Sequence, residues 1–392
     1  QRQMCIRDRH RGRLAARRAP GRLQHPDEAT ALYLSPTKAL AADQLSALEG
    51  LIRRGGGPDG VGLDVRARTY DGDTPVSERR WIRDHADAVL CNPDMLHAGV
   101  LPNHQQWSRF LRRLRWVIVD EAHVYRGVFG SHVAVVLRRL QRVAALYGAA
   151  PVFIGASATS ARPQDSFARL IGAPSEEVTA IREDTSPHGP VTVVLWEPEQ
   201  SGAEGENGAP VRRSAVVEAA EMLTDLVLRQ VRTLAFVGSR RGSETIAQIA
   251  HRQLEEVEPG LAHRVAAYRS GYLPEERREI EQQLRDGRLL GLSSTSALEL
   301  GIDIAGLDAV LVAGWPGTRS SFFQQIGRAG RAGQDALAAF IAREDPLDTY
   351  LVNHHEALFD DPLEATVFDP GNPYVLAPVS YTHLTLPTTP YV

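Results

Sequence analysis

Lysine is nearly missing from this chain. Among 44 basic residues Lys38 is the single lysine, so every other fixed positive side-chain charge is an arginine. Cysteine is almost as scarce: Cys5 and Cys91 cannot build a disulfide framework or a four-cysteine zinc site within this sequence. No apolar run reaches the roughly 18 residues a membrane-spanning helix needs, so a membrane partner is not expected. The pattern G-x-x-x-x-G-K-[ST], whose backbone and lysine cradle phosphates, does not occur. Acidic residues slightly outnumber basic ones and leave a net charge of -4. That excludes a uniformly basic nucleic-acid coat but leaves room for a local basic groove.

What is present bounds the architecture. A length of 392 residues accommodates two compact domains and part of a third, at roughly 150 residues per domain. The apolar and charged fractions, 43% and 23%, are those of a soluble globular protein. Arginine and alanine dominate in the manner of a GC-rich coding sequence, and both ends depart from that background. QRQMCIRDR (1–9) and VSYTHLTLPTTPYV (379–392) resemble translated sequencing-adapter read-through and are set aside from fold reasoning. The basic run HRGRLAARRAPGR (10–22) reads as a helix face or frame error ahead of a nucleic-acid-binding arm.

From Ala31 onward, short apolar runs alternate with helical patterns, the signature of a parallel sheet covered by helices. ALYLSP reads as a strand, and a helix from about Lys38 carries Ala41, Leu45, Leu48 and Ile52 at helical spacing, closed by Gly55, Gly56 and Gly57. Strands follow at DAVLCN, WVIVDEAH and VFIGASAT, with an amphipathic helix closed by Gly148 between the last two. A polar Gly- and Glu-rich stretch (196–213) reads as linker or surface loop. Alternation then resumes with a helix carrying Val216, Ala220, Leu223 and Val227, and with strands at TLAFVG, RVAAY, LLGLSST, AVLVAG and ALAAFIA. Pro274 opens a helix with Ile280 and Leu284 on one face and Gly287 beyond its end. Ligands of open α/β sheets bind beyond the carboxyl ends of the strands, so those ends are where chemistry is sought.

One strand, in RWVIVDEAHVYRGVFGSH (115–132), ends in two adjacent carboxylates and a histidine. An Asp-Glu pair at a strand end is by itself a modest signal. The ordered series around it is not: SPTKALAADQL (35–45), YDGDTP (70–75), NPDMLH (92–97), SAT (157–159), FVGSRRGSE (236–244), YRSGYLPEERREIE (268–281), TSALELGIDI (295–304) and QQIGRAGR (324–331). In this order the motifs resemble those of superfamily 2 DEAD/DEAH-box ATP-dependent helicases. DEAHVYRGVFGSHVA, YDGDTP, NPDMLH and YRSGYLPEERREIE resemble the MrfA/YprA-like, mitomycin-repair branch, and the likeness covers about 31–378.

The resemblance implies an α/β fold of two tandem RecA-like domains with parallel sheets, ATP clamped between them and a DNA strand drawn across their top. The expected organisation is a first RecA-like domain over 28–190, incomplete because its P-loop is missing, a linker over 191–213, a second RecA-like domain over 214–345, and the entry to a following domain over 346–378. Asp120 resembles the residue that holds Mg²⁺ through water, Glu121 the one that activates the attacking water, and His123 the coupler to domain closure. Arg328 and Arg331 resemble arginine fingers, and one of Gln324 and Gln325 is expected at the nucleotide or at Glu121. Ser157 and Thr159 resemble the hydroxyl pair linking ATP state to DNA grip, and Gly301 and Asp303 a nucleotide-sensing turn. Pro36, Thr37, Lys38, Asp94, Ser239, Arg240 and Thr295 lie just past strands where helices start, where free amides and the dipole end suit phosphate oxygens. Each is also an ordinary N-cap position, and only their joint occurrence favours a sequence-blind strand track. His354 and His355 read as surface residues, since adjacent histidines rarely converge on one ion.

The expected function is therefore a DNA helicase or translocase of the 3′ to 5′ kind acting in DNA repair. ATP and Mg²⁺ are the expected cofactors, with zinc confined to a cysteine domain beyond this sequence. Single-stranded DNA and duplex with a 3′ tail are the expected partners, and a bacterial cytoplasm with nucleoid association the expected setting. The missing P-loop motif predicts that this polypeptide alone hydrolyses ATP poorly or not at all. The alternatives are an RNA helicase and a non-catalytic nucleic-acid-binding paralogue. A protein-moving ATPase is disfavoured because the motif spacing leaves no room for a large inserted preprotein-binding domain.

Overall fold

The computed structural model describes residues 29–54, 64–157, 161–183, 189–204, 210–268, 271–299, 306–330, 333–360 and 363–376. It divides the chain into two compact units, one spanning Pro187–Glu364 and the other formed by the sequence on either side of it. Both end regions resembling adapter sequence lie outside the described residues, as does the 10–22 run.

The first unit is built on strands β1 (Thr30–Leu34), β2 (Ala67–Thr69), β3 (Ala88–Cys91), β4 (Leu114–Val119) and β5 (Val152–Gly155). They form one sheet in the order β2-β3-β1-β4-β5, with every pairing parallel. Alternate residues of a strand face opposite sides, so β1 divides its side chains between two cores. Leu32 and Leu34 join Val117, Val119, Trp107, Phe110, Leu137 and Leu140 on one face. Ala31 and Tyr33 turn to the other face, where Ala41, Leu45, Leu48 and Ile52 of the helix Lys38–Arg54 pack. The helix behind the Asp-Glu pair, Gly127–Leu146, ends as its Gly148 predicts, with that residue at φ +77°.

The second unit repeats the plan with β6 (Val191–Trp196), β9 (Thr233–Val237), β10 (Val265–Tyr268), β11 (Gly291–Ser294), β12 (Ala309–Ala313) and β13 (Ala336–Ile341), ordered β10-β11-β9-β12-β13-β6. Phe236, Val310, Val312 and Phe340 face one layer of helices, and Val237, Leu311, Ala313 and Ile341 face the helices Ala215–Leu228 and Arg240–Val257. Such two-sided burial is why these strands read as near-continuous apolar runs.

One expectation on organisation needs correction. Residues 191–213 are not simply a linker: Val191–Trp196 is the parallel edge strand beside β13, and β7 (Gln200–Glu204) and β8 (Pro210–Arg212) pair as an antiparallel ribbon. The β-branched run Val-Thr-Val-Val supplies the strand propensity, which the polar stretch after it obscures. The described residues of 346–378, expected as the entry to a following domain, divide between the two units. Leu351 and Leu358 pack into the second unit's core, whereas Phe368 enters the core of the first. There the N–H of Gly127 donates to the Val367 carbonyl at 2.7 Å, and the Asp369 N–H donates to Ser131 Oγ at 3.0 Å.

Candidate nucleotide and nucleic-acid site

Parallel pairing puts the carboxyl ends of all strands of one sheet on one rim. Along the first rim, in the order β3, β1, β4 and β5, stand Asp94, then Pro36–Lys38, then Asp120–His123, then Ser157. Along the second, Thr295 follows β11 and Ser239 and Arg240 follow its neighbour β9.

Strand β4 delivers Asp120 to a fully buried position. Its N–H donates to the Leu34 carbonyl at 2.8 Å, extending the ladder with β1 by one bond. Its Oδ1 accepts the Glu121 N–H at 2.9 Å and its Oδ2 accepts the Tyr33 hydroxyl at 2.8 Å. Carboxylate oxygens are the ligands a hard cation such as Mg²⁺ takes. Glu121 then turns the chain through φ 49°, a left-handed conformation that an L side chain rarely adopts. Such strain, on the order of 1–3 kcal/mol, persists only where the surroundings over-determine it. Here the bracing comes from the Asp120 carboxylate on one side and, on the other, the Ala122 N–H bonded to the Ala156 carbonyl at 2.8 Å. The turn aims Glu121 at His123, whose Nδ1 lies 3.4 Å from Glu121 Oε2 and 3.4 Å from Ser157 Oγ. Asp120, Glu121, His123 and Ser157, read from two motifs far apart in sequence, thus form one cluster.

Close by is Tyr125, fully buried, its hydroxyl without a hydrogen-bond partner among the described residues. Burial, reinforced by the charges of Asp120, Cys91 and Glu121, holds its pKa well above the ordinary tyrosine value. Burial and Asp71 likewise push the Cys91 thiol up to about 12. Neither group ionises near neutral pH.

Three of the expected strand-track positions are helix caps. Thr37 Oγ1 accepts the Leu40 N–H, Ser239 Oγ accepts the Gly242 N–H at 3.0 Å, and Thr295 Oγ1 accepts the Ala297 N–H. Thr37, Lys38, Asp94, Ser239 and Arg240 are exposed, while Pro36 and Thr295 are half-buried. Lys38 Nζ pairs with Asp73 Oδ2 of YDGDTP at 3.0 Å.

In the second unit the motif residues are tied internally. Gln325, buried, donates its amide to Glu299 Oε2 at 3.0 Å, and the guanidinium of Arg328, also buried, donates to the Glu299 carbonyl. Gln324 is half-buried. Arg331, Gly301, Asp303 and Thr159 lie outside the described residues. His354 and His355 are exposed; His354 stacks on Tyr350 and His355 pairs with Glu356 at 3.5 Å. Sequence reasoning missed Tyr33 and Glu299. Glu299 sits inside TSALELGIDI and carried a usable signal, whereas Tyr33 looks like any strand residue until its partner across the sheet is known.

A metal fits this donor set in one way. Among the described residues no three His, Cys, Asp or Glu side chains converge as a metal cage. Mg²⁺ does not require one, since it is commonly held by one or two carboxylates and keeps several waters. Among the described residues no helix is long and apolar enough to cross a membrane.

Two parallel-sheet units, one carrying an Asp-Glu-Ala-His strand end and the other a Gly-Arg-Ala-Gly-Arg motif, define a helicase-type motor core. The DEAD/DEAH box helicase family matches residues 14–167, and the helicase conserved C-terminal domain family matches 218–333. The ATP-dependent helicase YprA of Bacillus subtilis is 41% identical over 347 residues, covering 88% of this chain and 44% of that protein. The Saccharomyces cerevisiae ATP-dependent helicase HRQ1 is 40% identical, covering 85% and 30%. The crystal structure of the helicase MrfA bound to DNA superposes with a TM-score of 0.81 at 40% identity, covering 89% of this chain and 45% of that one. The chain belongs to the superfamily 2 DEAD/DEAH-box helicases, in their MrfA/YprA-like branch. It spans less than half the length of these relatives.

Proposed function

We propose that this chain is the motor core of an ATP-dependent DNA helicase or translocase that moves 3′ to 5′ along a single strand and serves DNA repair on the nucleoid. The observation that carries the reading is the first rim. Candidate backbone-gripping positions at β3 and β1 and the acid cluster at β4 and β5 occupy one continuous edge, so a single sheet links them. The relatives named as ATP-dependent helicases, and the MrfA structure with DNA, support it.

In this reading Asp120 orients the water shell of Mg²⁺, which when bound neutralises phosphate charge. Glu121, held at its strained turn, accepts the proton of the attacking water. His123, placed between Glu121 and Ser157, relays the state of that carboxylate to the segment after β5. Arg328 and Arg331 supply positive charge to the transferring phosphate, Gln324 or Gln325 senses the nucleotide, and Gly301, Asp303 and Thr159 complete the sensing loops. Pro36, Thr37, Lys38, Asp94, Ser239, Arg240 and Thr295 grip phosphates without reading bases.

Since the sequence holds no G-x-x-x-x-G-K-[ST], the 392-residue polypeptide is expected to bind a strand yet hydrolyse ATP weakly or not at all. The same absence favours a second reading, a non-catalytic nucleic-acid-binding paralogue. Long-read sequencing of the source locus, followed by ATPase assays with and without single-stranded DNA, separates the two. A longer polypeptide that carries the motif and hydrolyses ATP only when DNA is present is the expected result. A complete polypeptide with no DNA-stimulated hydrolysis overturns the motor reading, and stimulation by RNA alone transfers it to RNA.

A further inference from the structure

The Asp120 carboxylate is gripped on both oxygens by donors that differ in kind. Oδ1 takes the N–H of Glu121 at 2.9 Å, and Oδ2 takes the hydroxyl of Tyr33 at 2.8 Å. The last torsion of an aspartate is a soft, broad one. One fixed donor on each oxygen removes that softness and sets the plane of the carboxylate. The first donor belongs to the main chain, whereas the second is a side-chain hydroxyl that a substitution can remove.

Its placement follows from the sheet. β1 and β4 pair in register, Tyr33 opposite Ile118 and Leu34 opposite Val119, and the Leu34 carbonyl takes the Asp120 N–H at 2.8 Å. Tyr33 therefore stands beside the strand end that carries Asp120, on the face packed against the helix Lys38–Arg54. A phenylalanine would fill the same apolar position in T-A-L-Y-L, so the hydroxyl is the informative atom.

We propose that Tyr33 is a positioning residue for the nucleotide site. Its hydroxyl fixes the plane in which Asp120 meets the water shell of Mg²⁺. It also joins that carboxylate to the strand that runs on into Pro36–Lys38, so the metal-facing group and the strand-gripping segment share one rigid element. The metal half of this proposal rests on the reading of Asp120 given above.

The test uses Tyr33→Phe. In the 392-residue chain, amide hydrogen exchange resolved to single residues is expected to rise about tenfold at Glu121, whose partner carboxylate is freed to swivel. Exchange at Val119, in the β4 ladder, and at Ala122, bonded to Ala156, stays within about twofold, the scale on which such packing-neutral changes act. Unchanged exchange at Glu121 overturns the proposal, and so does a rise shared by Val119, which marks general loosening of the strand. In a longer polypeptide with a complete nucleotide site, Mn²⁺ binding with ADP, followed by electron paramagnetic resonance, is expected to weaken several-fold, again the weight of one such hydrogen bond. Affinity for a thymidine 20-mer stays as it was. A Glu121 response with undiminished Mn²⁺ affinity leaves the carboxylate's positioning by Tyr33 standing and overturns the assignment of Asp120 to the metal.

Discussion

The two sheets share a plan but bury corresponding strands unequally. In the second unit β13 is enclosed, paired with β12 on one side and β6 on the other, with Phe340 and Ile341 fully buried. In the first unit β5 pairs with β4, and among the described residues no strand covers its other side. Val152 is 48% exposed and Gly155 is exposed too, an unusual state for a strand of a parallel sheet. The second sheet has its own exposed edge at Val191–Trp196, one strand further out, and the unit in which β5 is itself the edge is the one whose sequence offers the Asp-Glu pair. The difference teaches that β13 is interior in the second unit, whereas in the first, among the described residues, the corresponding strand β5 is an edge beside Ser157. It predicts that the first unit unfolds before the second in urea, the first followed by labelling of Cys91 in a Cys5→Ser background and the second by hydrogen exchange at Phe340.

The largest expected effect separates the units chemically. In a longer polypeptide with a working nucleotide site, Glu121→Gln lowers ATP turnover by about 10²–10⁴-fold, the weight of a general base, while affinity for single-stranded DNA persists. A loss of both together would show the turn at Glu121 to be a folding requirement of the first unit.

Next is a change that breaks the stability order. Asp348 is fully buried and accepts the backbone N–H groups of Trp315 and Arg343, at 3.2 and 2.9 Å, plus the Arg343 guanidinium at 3.0 Å. Asp348→Ala leaves those amides without their acceptor and costs the second unit about 3 kcal/mol. Urea denaturation should then show the second unit unfolding first or with the first.

Gly130→Ala sharpens the comparison instead. A Cβ there would meet the backbone carbonyl of Tyr125 and the Phe368 side chain, so the start of the helix Gly127–Leu146 must shift. The first unit should lose about 1–3 kcal/mol and the second none.

The smallest effect is pH dependence. Cys91, with its thiol pushed from 9.0 to about 12, stays neutral in the folded first unit while the unfolded chain ionises. Its contribution is present below pH 9 and is lost progressively as pH rises toward 12, about 1.4 kcal/mol by pH 10. Comparison with Cys91→Ala across pH 8–10 isolates this term, because the alanine variant lacks it.

Much of this molecule is legible in one dimension. Long apolar runs of β-branched residues bounded by helix starts announce a two-faced parallel sheet, and every strand read from such a run, from Thr30–Leu34 to Ala336–Ile341, is present. Not read this way were Ala67–Thr69, only three residues long, and Val191–Trp196, an edge strand running into a polar ribbon where composition averages to loop. The ordered motifs likewise placed Asp120, Glu121, His123 and Ser157 before any coordinates, because each follows a strand whose end is a fixed point of the fold.

Tertiary structure decided what lies between such points. That Tyr33 reaches Asp120 depends on β1 lying beside β4, a pairing 87 residues apart in sequence. That Glu299 ties Gln325 and Arg328 depends on where the turn after β11 meets the end of the helix Arg319–Ile326, and that Phe368 returns to the first unit depends on a surface its own neighbours do not encode. Local chemistry sets propensity, burial period and caps within a few residues. Partnership across strands is set by register and packing, which no segment carries alone.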